Sequence, residues 1–143
     1  MAMTGLDTFD TTVQKSNIWL KEIMEEEGWD DRHRAYLALR SVLHTLRDRL
    51  LPEEAVHLGA QLPMLIRGLY YEGWHPSGTP VREKKKEEFL DHVCNAFQND
   101  PDIDCDRVLR GVFKVIARKV SEGEIEDVRG TLPEGIRELW PEA

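Results

Sequence analysis

The stretch ALRSVLHTLRDRLLPEEAVHLGAQLPMLIRGLY (Ala38–Tyr70) returns seventy residues later as VLRGVFKVIARKVSEGEIEDVRGTLPEGIRELW (Val108–Trp140). Aligned without a gap, nine of the thirty-three positions are identical: Leu39/Leu109, Arg40/Arg110, Val42/Val112, Glu54/Glu124, Leu62/Leu132, Pro63/Pro133, Ile66/Ile136, Arg67/Arg137 and Leu69/Leu139. Others exchange like for like, as in Leu43/Phe113, Leu46/Ile116, Arg49/Lys119 and Tyr70/Trp140. Upstream, Trp19-Leu20 and Ile23 fall in the same register on Phe89-Leu90 and Val93. A fixed internal period argues for an architecture built of repeated units.

Within each unit the apolar spacing is helical. Tyr36, Leu39, Leu43, Leu46 and Leu50 recur three or four residues apart, as do Leu109, Val112, Phe113, Ile116 and Val120, and such stripes face a core. Thr11 or Thr12 is placed to cap a first helix that Gly28 stops, and Asp30 or Asp31 opens the next. Pro52 and Pro63 suit first helical turns, and Gly73 ends the fourth helix. In the second unit Thr79-Pro80 offers a cap and a first-turn proline for a helix carrying Phe89, Val93 and Phe97. Asp102 or Asp104 starts the next, and Ser121 with Glu124 reads as a capping box. No run of alternating β-branched residues reads as a strand. The expectation is an all-α chain of two tandem helical repeats, about 70 residues each at an offset of 70, packed about a pseudo-twofold axis as one compact bundle. Its parts are an N-terminal tail (1–12), a first repeat (13–73), an aromatic Gly/Pro junction (74–80) and a second repeat (81–141).

Bulk composition narrows the function classes. Twenty-seven acidic against nineteen basic side chains give a net charge of −8, which argues against nucleic acid, since phosphate binding needs a concentrated basic surface. The basic run Arg82–Lys86 is broken by Glu83 and reads as the solvated face of a helix. No apolar stretch is long enough to span a bilayer, and Met1–Thr12 lacks the charged and apolar regions of a secretory signal. Two cysteines are too few for a disulfide framework and point to a reduced cytoplasmic setting. Cys94 reads as a small core residue, and Cys105, among aspartates, as unreactive.

The segment Leu62-Pro63-Met64-Leu65-Ile66-Arg67-Gly68-Leu69-Tyr70-Tyr71-Glu72-Gly73-Trp74, followed by Pro76, resembles the signature of a bacterial domain-of-unknown-function family, DUF2267. Val112–Ile116, Gly123–Arg129 and Leu132-Pro133 resemble the second half of the same family, so the likeness runs from about Val13 to Pro141. The resemblance implies a small bacterial helical protein with no established activity and supplies no catalytic residues.

Chemistry-bearing residues are sparse. Tyr70, Tyr71, Trp74 and His75 form an aromatic cluster at the junction that suits a partner or ligand surface, or alternatively plugs the joint between repeats. Arg67 could join that surface by holding an anion. Its retention as Arg137 favours an internal role, pairing with a carboxylate (Glu54 and Glu124 are also repeated) or with carbonyls at a helix end. Arg40 and Arg110 read the same way. Asp100–Asp106 alternates aspartates as a calcium loop would, but Cys105 stands where glycine is needed and the twelfth position is Gly111, so helix capping explains it better. His57 and His92 stand alone on separate helices, and no His-x-x-x-His or Cys-x-x-Cys spacing suggests zinc. No catalytic motif, metal site or cofactor is expected. The reading is a non-enzymatic protein-interaction or scaffold module, bound to a protein partner or to a second copy. The alternative is a small-ligand binder with an apolar pocket between the repeats.

Overall fold

The computed structural model describes residues 4–142. Those residues form eight α-helices and no strand: α1 (Asp7–Glu27), α2 (Arg32–Arg47), α3 (Pro52–Ala60), α4 (Met64–Tyr71), α5 (Lys86–Cys94), α6 (Cys105–Lys119), α7 (Glu122–Thr131) and α8 (Glu134–Arg137). Helices α2 and α6 pack on each other, with α1 packed on both, α5 on the same two, and α3 against α7. The predicted stripes line the core: Leu39, Leu43 and Leu46 from α2, with Leu50 just beyond its end, share one core with Leu109, Val112, Phe113 and Ile116 from α6. Tyr36, the first residue of the α2 stripe, is instead exposed at the surface. None of the helices is long and apolar enough to cross a membrane.

Charge completes the central packing. One face of α1 is acidic and the facing side of α6 basic, so Glu22 meets Arg118 and Lys119, Glu26 meets Lys114 and Arg118, and Glu27 meets Arg107. Glu27 is buried, and loss of solvent raises its carboxyl above the usual range despite the nearby Arg107 guanidinium. It lies over Gly111 of α6, where any Cβ would collide with the carboxylate. At the equivalent position of α2, Ser41 Oγ donates to the carbonyl of Val93 in α5 at 3.1 Å.

Several local readings are corrected. Helix α1 begins at Asp7, not at Thr11 or Thr12. The Asp10 carboxylate accepts from the backbone N–H and hydroxyl of Thr4 at 2.9 and 2.8 Å, which ties down the earlier start. Thr12 caps a different helix: its hydroxyl accepts from the N–H of Leu65 in the first turn of α4, at 2.9 Å. Thr79-Pro80 does not open α5, which starts at Lys86. Residues 81–85 run non-helical because tertiary bonds hold them: Val81 N–H donates to the Asp48 carbonyl at 2.8 Å, and Glu83 takes both Arg49 (3.1 Å) and His92 (2.9 Å). Residues Arg82–Lys85 of the basic run therefore form a strap against the end of α2, and only Lys86 enters a helix.

The cysteines are also corrected. Cys94 at the end of α5 and Cys105 at the start of α6 are joined by a disulfide, with Cα atoms 5.7 Å apart, a separation inside the range that the bond requires. Both are half-buried, so Cys94 is not a core residue. Pro63 stands just before α4 and not in its first turn, and Phe97 lies in a short 3-10 turn beyond the end of α5. Gly28 ends α1 in the left-handed region (φ 71°), and Asp31, Asp104 and Ser121 cap α2, α6 and α7 through their side chains.

Candidate functional site

Helices α3 and α4 and their counterparts α7 and α8 place most of the residues singled out above. Arg67 reaches from α4 to the carbonyls at the end of α3, donating from Nε to Gly59 O at 2.9 Å and from Nη2 to Leu62 O at 2.9 Å. Arg137 does the same for α7, to Arg129 O at 3.0 Å and Leu132 O at 2.9 Å. The last carbonyls of a helix have no partner within it, and a guanidinium satisfies two with one rigid fork. Both arginines thus pair with helix-end carbonyls and not with Glu54 or Glu124. Arg110 pairs with Asp106 one turn back, at 2.5 Å. Arg40 lines a depression of about 420 Å³ with His44, Arg47 and Arg49.

The aromatic cluster divides. Tyr70 is fully buried, and its hydroxyl donates to the Ala55 carbonyl at 2.7 Å. Loss of solvent drives that phenol far above its usual range, so it offers nothing to a partner. Tyr71 stands edge-on to Tyr70 (centroids 4.9 Å apart) and lies against Gly59, where a Cβ would collide with its hydroxyl. Trp74 packs on Tyr71 at 5.4 Å, with its Nε1 buried and without a hydrogen-bond partner among the described residues. His75 is exposed. Only the outer edges of Tyr71 and Trp74, with His75, remain as surface.

Two arginines missed in the sequence hold this corner. Arg47, only 4% exposed, donates from Nη1 to Tyr70 O (2.7 Å) and Glu72 O (3.0 Å), closing the end of α4. Arg49 lies over the Phe89 ring, 5.0 Å from its centroid, and pairs with Glu83. His44 adds a 2.7 Å bond from Nε2 to the Leu69 carbonyl, and burial holds its pKa below the ordinary value. Alternation of Arg with apolar residues in HTLRDRL (residues 44–50) was the available signal. It reads as easily as a solvated face.

Glu54 and Glu124 meet each other where α3 packs on α7. Burial and the facing Glu54 carboxyl push Glu124 up to about 8, with the charge of Asp127 adding to the effect. Ser121 caps α7 through its hydroxyl, but the returning half of the expected capping box is absent because Glu124 turns to Glu54. Glu54 Oε1 and Glu124 Oε2 are buried and accept no hydrogen bond from the described residues. His57, expected to stand alone, joins them: one ligand atom from each of Glu54, His57 and Glu124 lies within 4.8 Å of the others.

A second feature is apolar. Leu20 of α1, Tyr36 and Leu39 of α2, and Leu65, Ile66 and Leu69 of α4 line a groove of about 400 Å³. Its lip is Leu65, which is 53% exposed. Beside it Met64 and Ile18, also exposed, border the adjoining depression between α1 and α4. Comparison with functionally curated proteins finds no match. The profile of DUF2267, described as an uncharacterized conserved protein, matches residues 16–139, and the chain belongs to that family.

Proposed function

We propose that the protein is a non-enzymatic interaction module whose two tandem helical repeats present the groove between α1, α2 and α4 to a partner protein. The observation that carries this reading is the exposed apolar lip, Leu65 with Met64, Ile18 and Tyr36. Large side chains that leave water only when a second surface covers them mark contact sites. The occupant we favour is an amphipathic segment with basic flanks, because a net charge of −8 repels a second copy and attracts a basic partner. The correspondence of helix starts (Pro52 with Glu122, Met64 with Glu134) supports the two-repeat description. The junction edge formed by Tyr71, Trp74 and His75 is the lesser surface.

A photo-crosslinking residue at position 65 in producing cells is expected to yield a discrete adduct with another protein. A residue at position 71 or 75 is expected to yield less. Adducts from 71 or 75 alone would move the docking face to the junction, and none from any of the three would remove the interaction reading.

The groove volume also fits a small apolar ligand, since binding clefts run from roughly 300 to 1,000 Å³. Native mass spectrometry separates the two readings. A bound ligand appears as mass beyond the chain that is lost on denaturation, whereas the interaction module flies bare.

A further inference from the structure

The contact of α3 with α7 brings together three donors that make no side-chain bond outside their own group among the described residues. Glu54 and His57 are three residues apart on α3, so they share one helical face. This Glu-x-x-His spacing is the one by which helical bundles present a carboxylate and an imidazole to a common metal. Glu124 arrives from α7, completing a set of two carboxylates and one imidazole whose ligand atoms lie within 4.8 Å of one another.

A second observation is independent of the cluster's composition. Each glutamate holds one oxygen, Glu54 Oε1 and Glu124 Oε2, out of solvent and without a donor among the described residues. A buried acceptor without a donor is costly, and a cation between the two facing carboxyls would satisfy both oxygens in place of the proton that the pair shares. Solvent still reaches the cluster from the side of His57, which is exposed. We propose that Glu54, His57 and Glu124 form a binding site for a single divalent transition-metal ion of the zinc class, which bridges α3 and α7.

The donor set selects that class. Two carboxylates alone would suit calcium or magnesium, whereas an imidazole shifts the preference toward zinc, cobalt and their neighbours. Donors around such an ion stand roughly 3.4 Å apart, so the 4.8 Å span closes by rotation of side chains that are not fully buried. Three protein ligands leave a fourth position for water on the open side. Asp127 occupies on α7 the place that His57 has on α3, three residues after the glutamate. It adds negative charge to the site's surroundings.

The test uses the full chain with its disulfide intact, stripped of metal by chelator and desalted. Cobalt(II) alone is then titrated with visible absorption as the readout, and zinc(II) alone by calorimetry. One equivalent is expected to bind and to give cobalt d–d bands. Loss of one of three ligands in His57→Gln is expected to weaken binding by about tenfold or more, and Glu124→Gln by at least as much. His33→Gln, on the exposed start of α2, leaves it unchanged. No bands and no heat, or a titration that His57→Gln leaves as in the wild type, would overturn the site. Because His57 is exposed, its variant folds even where Glu124→Gln does not.

Discussion

Laid over one another at a 70-residue offset, α3–α4 and α7–α8 share their connections and differ in their surfaces. Arg67 and Arg137 close the preceding helix through the same pair of carbonyl positions. Glu54 and Glu124 meet each other. The positions that diverge are different in kind. His57 stands opposite Asp127, exposed Met64-Leu65 opposite Glu134-Gly135, and buried Tyr70 opposite Trp140. Tyr70 uses its hydroxyl on the Ala55 carbonyl, while Trp140 stacks flat on Phe113 at 4.0 Å. The arginines kept in both halves close helix ends, the kept glutamates meet each other, and the candidate metal imidazole and the apolar lip lie where the halves part company. A functional search in this chain therefore needs both the positions at which its two halves disagree and the one repeated pair, Glu54 and Glu124, that meets across them.

That comparison breaks first at the arginines. Arg67→Ala is expected to cost about 1–3 kcal/mol in denaturant unfolding, because it leaves helix-end carbonyls without donors in a partly buried corner. Arg137→Ala, on an exposed side chain, is expected to cost less. Equal losses would mean that exposure does not separate the two halves.

The glutamate pair sharpens it next through pH. Burial and Glu54 raise Glu124 in the folded chain from the ordinary 4.5 to about 8, so the folded state holds a proton that the unfolded chain releases. This contribution to stability is whole below about pH 4.5 and drains away as pH rises through 8. Thermal melts of metal-free protein should show that decline, and Glu124→Gln, which has no proton to lose, should flatten it. A variant that declines as steeply as the wild type would assign the effect to another group. Smallest of all, Leu65→Asp is expected to change stability by no more than about 0.5 kcal/mol, since the side chain stands mostly in water. A larger loss in a chemical melt would make Leu65 part of the core and not of a docking lip.

The α2 and α6 stripes were legible because long amphipathic helices carry their own period. Leu39, Leu43 and Leu46, like Leu109, Val112, Phe113 and Ile116, lie where that period puts them, while Tyr36 and Leu50 at the two ends of the first stripe fall at the surface and beyond the helix. The start of α5 was not legible. Thr79-Pro80 is a sound local signal, and it loses to the bonds that Val81 and Glu83 make with Asp48 and Arg49 just beyond α2. The disulfide was hidden for the same reason, since nothing in an eleven-residue spacing says that the end of α5 meets the start of α6. At the candidate site the repetition of Glu54 and Glu124 was visible. Their meeting was not, because two equivalent residues touch only where α3 and α7 pack. The Glu-x-x-His spacing on α3 was the clue passed over.

Gly111 sets a limit on symmetry. Its counterpart Ser41 uses a hydroxyl to grip α5, while Gly111 leaves room for the Glu27 carboxylate of the far longer α1. A chain designed by duplicating the first half would place a serine at 111, and its Cβ would occupy the space now taken by that carboxylate. Two identical halves could not then close on each other in this packing. The fold depends on one half being narrower at its centre, and the bundle is asymmetric at its core before any difference reaches its surface.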